Sequence, residues 1–371
     1  MGKRDDLKAH QAVVIGGGQA GLAVGRALAD AGVDFVILDA NARIGDSWRH
    51  RWDSLRLFTP AVHDGLPGMP FPAAQGEFPT KDEMADYLEA YVERFGLPVR
   101  QGVAVDGLAR DGDRYLVSAG DRRFEAEQVV VATGAHQRPT APAFAAHLDP
   151  ATVQLHSAAY RNPSQLPDGD VLVVGAGNSG AEIALEAAAT GRRTWLSGRS
   201  TGHVPRAVYA RTGLVFWVAE HVLTLDTPIG RKFRSRAQSH GAPLIRVNPR
   251  DLARAGIRRV PRVAGVQAGR PVLAGGQVLD VSGVVWATGF RHDFGWIRLP
   301  VFDDHGSPLH DRGVVGSEPG LSFVGLPFLS GFTSALIGGV GKDAERIAGR
   351  VVATLRTLGT GAPRGNVHAG A

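Results

Sequence analysis

Cysteine is absent from all 371 residues. That excludes a disulfide framework, a thiolate zinc site, an iron–sulfur cluster and a redox-active pair of thiols, and no metal site is expected. Lysine is nearly absent too. Of 41 basic residues only Lys3, Lys8, Lys81, Lys232 and Lys342 are lysine, so arginine is the default cation and a run of arginines carries little information by itself. Against 36 acidic residues the net charge is +5, a mild excess that suits phosphorylated ligands and does not call for nucleic acid. Long apolar runs are missing as well. The longest apolar-looking stretch, 213–225, holds Glu220 and His221 and falls short of the ~20 residues that cross a bilayer. Residues 1–10 are polar and lead directly into a strand, without the apolar centre of a signal peptide. The expectation is a soluble, cytoplasmic protein, with self-association left open. A hydrophobic fraction of 44% supplies an ordinary core, and the length suits two or three domains at ~100–200 residues each.

Glycine, by contrast, is plentiful at 49 residues, and some of it is patterned. Gly16-x-Gly18-x-x-Gly21 follows a short apolar strand at 12–15 and opens a helix over 20–31, which Gly32 stops. A second strand, 35–38, ends at Asp39. That strand–turn–helix–strand context turns a weak motif into a dinucleotide fingerprint. The first glycine permits a tight turn, the second lets a diphosphate approach the backbone, and the third lets helix pack on strand. Free N–H groups at the helix start face the phosphates. Much further on, an apolar strand closes with Ala132-Thr133-Gly134. The whole series then repeats: Gly175-x-Gly177-x-x-Gly180 after a strand at 171–174, a helix over 179–189, a strand at 194–197, and Ala287-Thr288-Gly289. Two fingerprints with matching closing strands predict two bound dinucleotides.

The two copies differ where the ribose should sit. Asp39 can accept both ribose hydroxyls and would repel a 2′-phosphate, so the first site suits FAD or NAD. The second copy offers Ser197, Arg199, Ser200 and Thr201 with no acid, and Arg199 can pair with a 2′-phosphate. Arg206 is a weaker candidate. The pairing predicts FAD in the first site and NADPH in the second, with hydride passing from NADPH to flavin. Electrons cannot then leave through a thiol pair, which leaves dioxygen, a diffusing acceptor or a partner protein.

Around these fingerprints, Thr80 and Glu83 form a capping box ahead of an amphipathic helix carrying Met84, Tyr87, Leu88, Tyr91, Val92 and Phe95. Short β runs over 99–124, broken at Asp111-Gly112 and Ala119-Gly120, predict a small antiparallel meander, followed by a return strand at 128–132. A weaker meander is expected near 260–279. The stretch 198–261 fits no repeat and is expected to be an irregular helical insertion of the second domain. The turn Gly338-Gly339-Val340-Gly341 precedes a helix over 342–355, and 359–371 is expected to fray.

His156, Tyr160 and Arg161, in His-Ser-Ala-Ala-Tyr-Arg-Asn-Pro, stand just before the second fingerprint. With 45–49 (Gly-Asp-Ser-Trp-Arg) and 52–60 (Trp-Asp-Ser-Leu-Arg-Leu-Phe-Thr-Pro), they give a chain that resembles class B flavin-containing monooxygenases over nearly its whole length, closest to the short YUCCA-like soluble branch. The family's FxG places hold Pro150 and Thr152 instead. The resemblance implies an α/β protein with two Rossmann-like, three-layer dinucleotide-binding domains, each with a small antiparallel meander, arranged as in glutathione reductase. The FAD domain would span 1–160 and 286–371. The NADPH domain would span 161–285, with the insertion at about 200–260.

The resemblance also implies the activity. NADPH reduces FAD, reduced FAD forms a C4a-(hydro)peroxyflavin with dioxygen, and one oxygen passes to a nitrogen, sulfur or carbonyl centre of a small organic substrate. The alternatives are a flavin oxidoreductase or oxidase without oxygen insertion, and a redox-sensing flavoprotein. Implied FAD contacts are Gly16, Gly18, Gln19, Ala20, Gly21, Asp39, Ala40, Trp48, Arg49, Leu57, Val103, Ala132, Thr133, Gly134, Gly325 and Leu336. Implied NADP contacts are Gly175, Gly177, Asn178, Ser179, Gly180, Ser197, Arg199, Ser200, Ala287, Thr288 and Gly289. Trp48 and Phe58 are the flavin-facing candidates, Phe58 standing where the family often has an Asn. Phe71, Phe78, Phe328 and Phe332 could line a substrate pocket. No side chain is nominated as an acid–base catalyst.

Overall fold

The computed structural model describes residues 7–74, 76–205, 212–239 and 242–360. A seven-stranded sheet is built around Leu7–Ile15, which pairs in parallel with Phe35–Leu38 on one side and Arg122–Val131 on the other. Val99–Arg100 extends the first side, also in parallel. The expected meander includes 99–100; the register of this strand with Ile37 and Leu38 puts it in the parallel sheet instead.

Arg122–Val131 does two jobs. Its first half pairs antiparallel with Arg114–Ala119, and its second half pairs in parallel with Leu321–Phe323. Burial follows this division: residues alternate through the meander half, then all are buried where Leu321–Phe323 takes over as the second neighbour. One face of an antiparallel ribbon can meet water, whereas a parallel strand is covered on both. The expected meander and return strand are therefore one continuous strand, with the change in hydrophobic pattern marking where its neighbours change.

The second sheet is wholly parallel, in the order Arg258–Val260, Thr194–Ser197, Val171–Val174, Gly283–Trp286, Val153–His156. Its edge strand starts at Val153 and another of its strands ends at Trp286, so the expected limits of 161 and 285 cut through the sheet. The expected second meander is a hairpin, Val263–Gln267 with Arg270–Leu273. It packs with Leu148, Leu279 and Trp286 in a separate core cluster.

The 198–261 stretch is more regular than expected. It contains helices Thr212–His221, Pro228–Ser239 and Pro249–Arg254, and it ends in a strand of the second sheet. It also reaches the first domain. Leu225 N–H donates to Ser330 O at 2.8 Å, Phe332 N–H donates to Leu223 O at 2.9 Å, and Arg312 pairs with Asp226 at 2.6 Å. The Phe216 ring stacks on His63 with centroids 3.9 Å apart. The last helix, Val340–Thr360, packs along Gln19–Asp30 and runs through 359–360, which were expected to fray; the rest of that tail lies outside the described residues.

Two chain segments join the domains, and they pair with each other. Arg138–Pro139 and Phe290–Arg291 form a two-residue antiparallel ribbon. Thr140 N–H donates to Gly289 O at 3.0 Å, and Arg138 pairs with Asp293 at 2.6 Å.

Candidate active site

The two glycine cradles are alike in detail. Gly16 and Gly175 both have φ of 111°, in the region that disfavours a Cβ. A Cβ on Gly16 would lie 2.6 Å from Ala132 O, and one on Gly175 would strike Ala287 O. A Cβ on Gly21 would collide with Gly16 O, and one on Gly180 with Gly175 O. The closing Ala-Thr-Gly strands thus press on the glycine turns, which explains their spacing. Gly18 and Gly177 behave otherwise. A Cβ on either meets nothing within 4 Å, and their backbones are extended, with φ of −81° and −79°. Nothing in the protein requires glycine there. The open space in front of each helix start fits a diphosphate held by backbone N–H groups.

Asp39 is buried at the end of the second strand. Its Oδ2 accepts from Gly17 N–H at 2.5 Å, and its Oδ1 accepts from Asn41 N–H and Nδ2 at 2.7 and 2.9 Å. These bonds aim the carboxylate at the mouth of the first cradle, and remaining lone pairs can serve ribose hydroxyls. Gly325, at φ 76°, packs against the same helix start, where an added Cβ would lie 2.8 Å from Ala20 Cβ. Gln19, Thr133, Gly134 and Leu336 are half-buried, and Ala40 is exposed beside Asp39.

Some implied contacts are side chains that the protein itself occupies. Arg49 is held by Asp86 and Glu89 of the Lys81–Phe95 helix, both at 2.9 Å, and donates to Ile44 O at 2.6 Å. Its guanidinium locks the 45–49 turn to that helix. Leu57 and Val103 are core side chains, although Val103 N–H donates to Asp39 O at 2.8 Å and so braces the cradle. Ser197 is fully buried, donating to Pro261 O at 2.9 Å and accepting from Val263 N–H at 3.1 Å. It fastens the hairpin to the sheet, which a side chain facing a ligand could not do. Asn178 donates to Pro243 O at 3.1 Å and accepts from Ile245 N–H at 3.0 Å, so its amide holds the insertion. Arg199 and Ser200 are exposed beyond the strand end, as a phosphate contact requires, and Arg206 lies outside the described residues. Arg259, from the adjacent strand, donates to Gly198 O at 2.8 Å and brings a second guanidinium to that corner. Sequence reading missed it because nothing local distinguishes it from the other arginines.

The His-x-x-x-Tyr-Arg segment is a clamp between domains. His156 Nε2 lies 3.1 Å from Gly289 O. Tyr160 is fully buried and donates to Glu186 at 2.8 Å, and Glu186 also accepts from Ser54. Asp53 N–H donates to Arg161 O at 2.7 Å, and Asn162 Nδ2 donates to Asp53 at 2.6 Å. The 51–56 loop is thereby sewn to the Asn178–Ala189 helix. Trp48 and Phe58, the flavin-facing candidates, are both half-buried. Phe71 is core, packed on Tyr87, while Phe328 and Phe332 meet Phe233 of the insertion.

Asp64 lies near this loop. It is fully buried, Thr59 Oγ1 donates to its Oδ1, and its Oδ2 has no partner among the described residues. Burial pushes its carboxyl up to about 7, against the opposing pull of the Thr59 bond. Between the unfolded value near 3.8 and 7 the folded protein holds the extra proton, so stability falls as pH rises across that window and stays lower above it. Asp64→Asn should therefore melt higher than the parent at pH 8, by the equivalent of about 2–4 kcal/mol. At pH 4 the two should melt alike. A parallel pair of melting curves against pH would count against a protonated Asp64.

Two matching phosphate cradles in one chain define a two-dinucleotide oxidoreductase. Residues 13–222 match the pyridine nucleotide-disulphide oxidoreductase family. An uncharacterized CzcO-like oxidoreductase of Geobacillus kaustophilus is 41% identical over 90% of this chain and 95% of its own. Rice indole-3-pyruvate monooxygenase YUCCA4 is 29% identical over 94% of this chain and 88% of its own. The solved structure of a flavin-containing monooxygenase from Stenotrophomonas maltophilia superposes with a TM-score of 0.78 at 29% identity, covering 94% of this chain and all of that one. The chain belongs to the pyridine nucleotide-disulphide oxidoreductase family and, within it, to the class B flavin monooxygenases, with FAD and NADPH as cofactors. Among the described residues no helix is long and apolar enough to cross a membrane.

Proposed function

We propose that the protein is an NADPH-dependent monooxygenase that inserts one oxygen atom of dioxygen into a small organic molecule at a nitrogen, sulfur or carbonyl centre. The observation that carries this is the pair of matching cradles in a chain without cysteine, which leaves reducing equivalents no thiol relay. When bound, the flavin supplies hydride acceptance and oxygen chemistry; the residues bind, orient and exclude water. In this reading the glycines at 16, 18 and 21, with Asp39, Ala132, Thr133, Gly134 and Gly325, hold FAD. Gly175, Gly177, Ser179, Gly180, Arg199, Ser200 and the 287–289 turn hold NADPH. The test is a balance of NADPH consumed, hydrogen peroxide released and oxygen recovered in product across a panel of amines, sulfides, ketones and 2-oxo acids. Peroxide equal to NADPH with every substrate would establish an oxidase instead.

That second reading has one observation in its favour. Phe58 stands where the family often has an amide, and a phenyl ring cannot make an amide's hydrogen bonds. Phe58→Asn should lower the peroxide released per NADPH. An unchanged ratio would remove Phe58 from the oxygen-reacting site.

A further inference from the structure

One guanidinium stands beside the ribbon that joins the domains. Arg51 is half-buried, its Nε donates to Ser47 O at 3.1 Å, and its guanidinium lies 5.8 Å from the centre of the Phe290 ring. His136 and His156 meet that ring edge-on at 5.1 and 5.2 Å. Loss of solvent, then the charge of Arg161, holds Arg51 below the usual arginine range; desolvation, then Arg51 and His292, lowers His136. Acids in the adjoining segments are engaged elsewhere. Asp53 accepts from Asn162, and Asp293 pairs with Arg138. Among the described residues no carboxylate pairs with Arg51.

A partly desolvated guanidinium beside a second one is unfavourable unless a ligand brings negative charge. Place in the sheet says which charge. Phe290 directly follows Gly289, past the end of Gly283–Trp286, the strand that neighbours Val171–Val174 and its glycine turn. A diphosphate sits at that turn, whereas a ribose 2′-phosphate belongs one strand further over, past Thr194–Ser197, where Arg199 stands. Clamping of the 51–56 loop to the Asn178–Ala189 helix, through Ser54 to Glu186 and through Arg246, which bridges Glu182 and Arg56 O, keeps Arg51 at this place.

We propose that Arg51, reaching across from the flavin-side domain, binds the diphosphate of the nicotinamide cofactor. The assignment rests on the functional reading above and adds a residue from the opposite domain to the NADPH site. A planar fork held over the Phe290 ring suits two phosphate oxygens.

The test is calorimetric titration of the flavin-loaded protein with NADP⁺, NAD⁺ and 2′-AMP. Arg51→Gln should weaken NADP⁺ and NAD⁺ alike, by about 10–100-fold, and leave 2′-AMP unchanged. Arg51→Lys, which keeps the charge and loses the fork, should recover part of the affinity. Arg51→Gln binding both dinucleotides like the parent protein would overturn the proposal while leaving the functional reading intact. So would an equal loss of 2′-AMP binding in a variant that keeps its flavin, since that reports general damage to the second cradle. A parent protein that binds neither dinucleotide would overturn the functional reading itself.

Discussion

Gly18→Val is expected to give a folded, colourless protein. Its backbone is extended, at φ −81° and ψ −175°, so any residue can adopt it, and an added Cβ meets no atom of the protein within 4 Å. The fold therefore tolerates valine, and the isopropyl group occupies the space assigned to the FAD diphosphate. We expect FAD affinity to fall by at least ~100-fold, or ~2.7 kcal/mol, with a melting temperature near that of the flavin-free parent. Gly21→Val is the control with the opposite signature. Its side chain would collide with Gly16 O, so the helix would have to leave the sheet and the variant should not accumulate folded. Measuring the flavin-to-protein absorbance ratio beside a thermal melt separates the two. A yellow, fully loaded Gly18→Val would remove the first cradle from FAD binding.

This contrast also shows what a sequence can and cannot say. The spacing of Gly16, Gly18 and Gly21, repeated at 175–180 and each time answered by Ala-Thr-Gly, was legible because these are backbone demands of one local unit. Helix Lys81–Phe95 was legible for the same reason, through a capping box and a single apolar face. Contacts made between distant segments were not. The sequence shows neither that Asp86 and Glu89 come round to meet Arg49 nor that Pro261 and Val263 enclose Ser197. The strand Val153–His156 carries burial weaker than its neighbours because it lies at a sheet edge, so its alternation did not announce a place in the second domain. The insertion misled in the other direction. Its arginine-rich composition hid, among the described residues, three helices and a strap back to the first domain.

Arg199→Ala should convert the second cradle from NADPH preference toward indifference. Arg199 is exposed past the strand end with no acid beside it in sequence, which leaves it available to a 2′-phosphate. A charge-assisted bond of this kind contributes about 1.5–3 kcal/mol, so the Michaelis constant for NADPH should rise about 10–100-fold while that for NADH stays within a factor of about 2. Arg259, whose guanidinium already reaches Gly198 O, should hold part of the preference, and the double variant should lose the remainder. Equal effects on both coenzymes would show that Arg199 does not read the phosphate. Steady-state kinetics with each coenzyme at saturating oxygen decide the matter.

The ribbon formed by Arg138–Pro139 and Phe290–Arg291 has a mechanical consequence. A single tether lets two bodies swivel about any direction. Two tethers laid side by side and bonded to each other behave like the leaves of a door hinge, free to bend about one line and stiff about the others. A cut through either tether would leave the halves joined by the other covalent crossing and by the bonds between them. Limited proteolysis there should nick the polypeptide without separating it until denaturant is added.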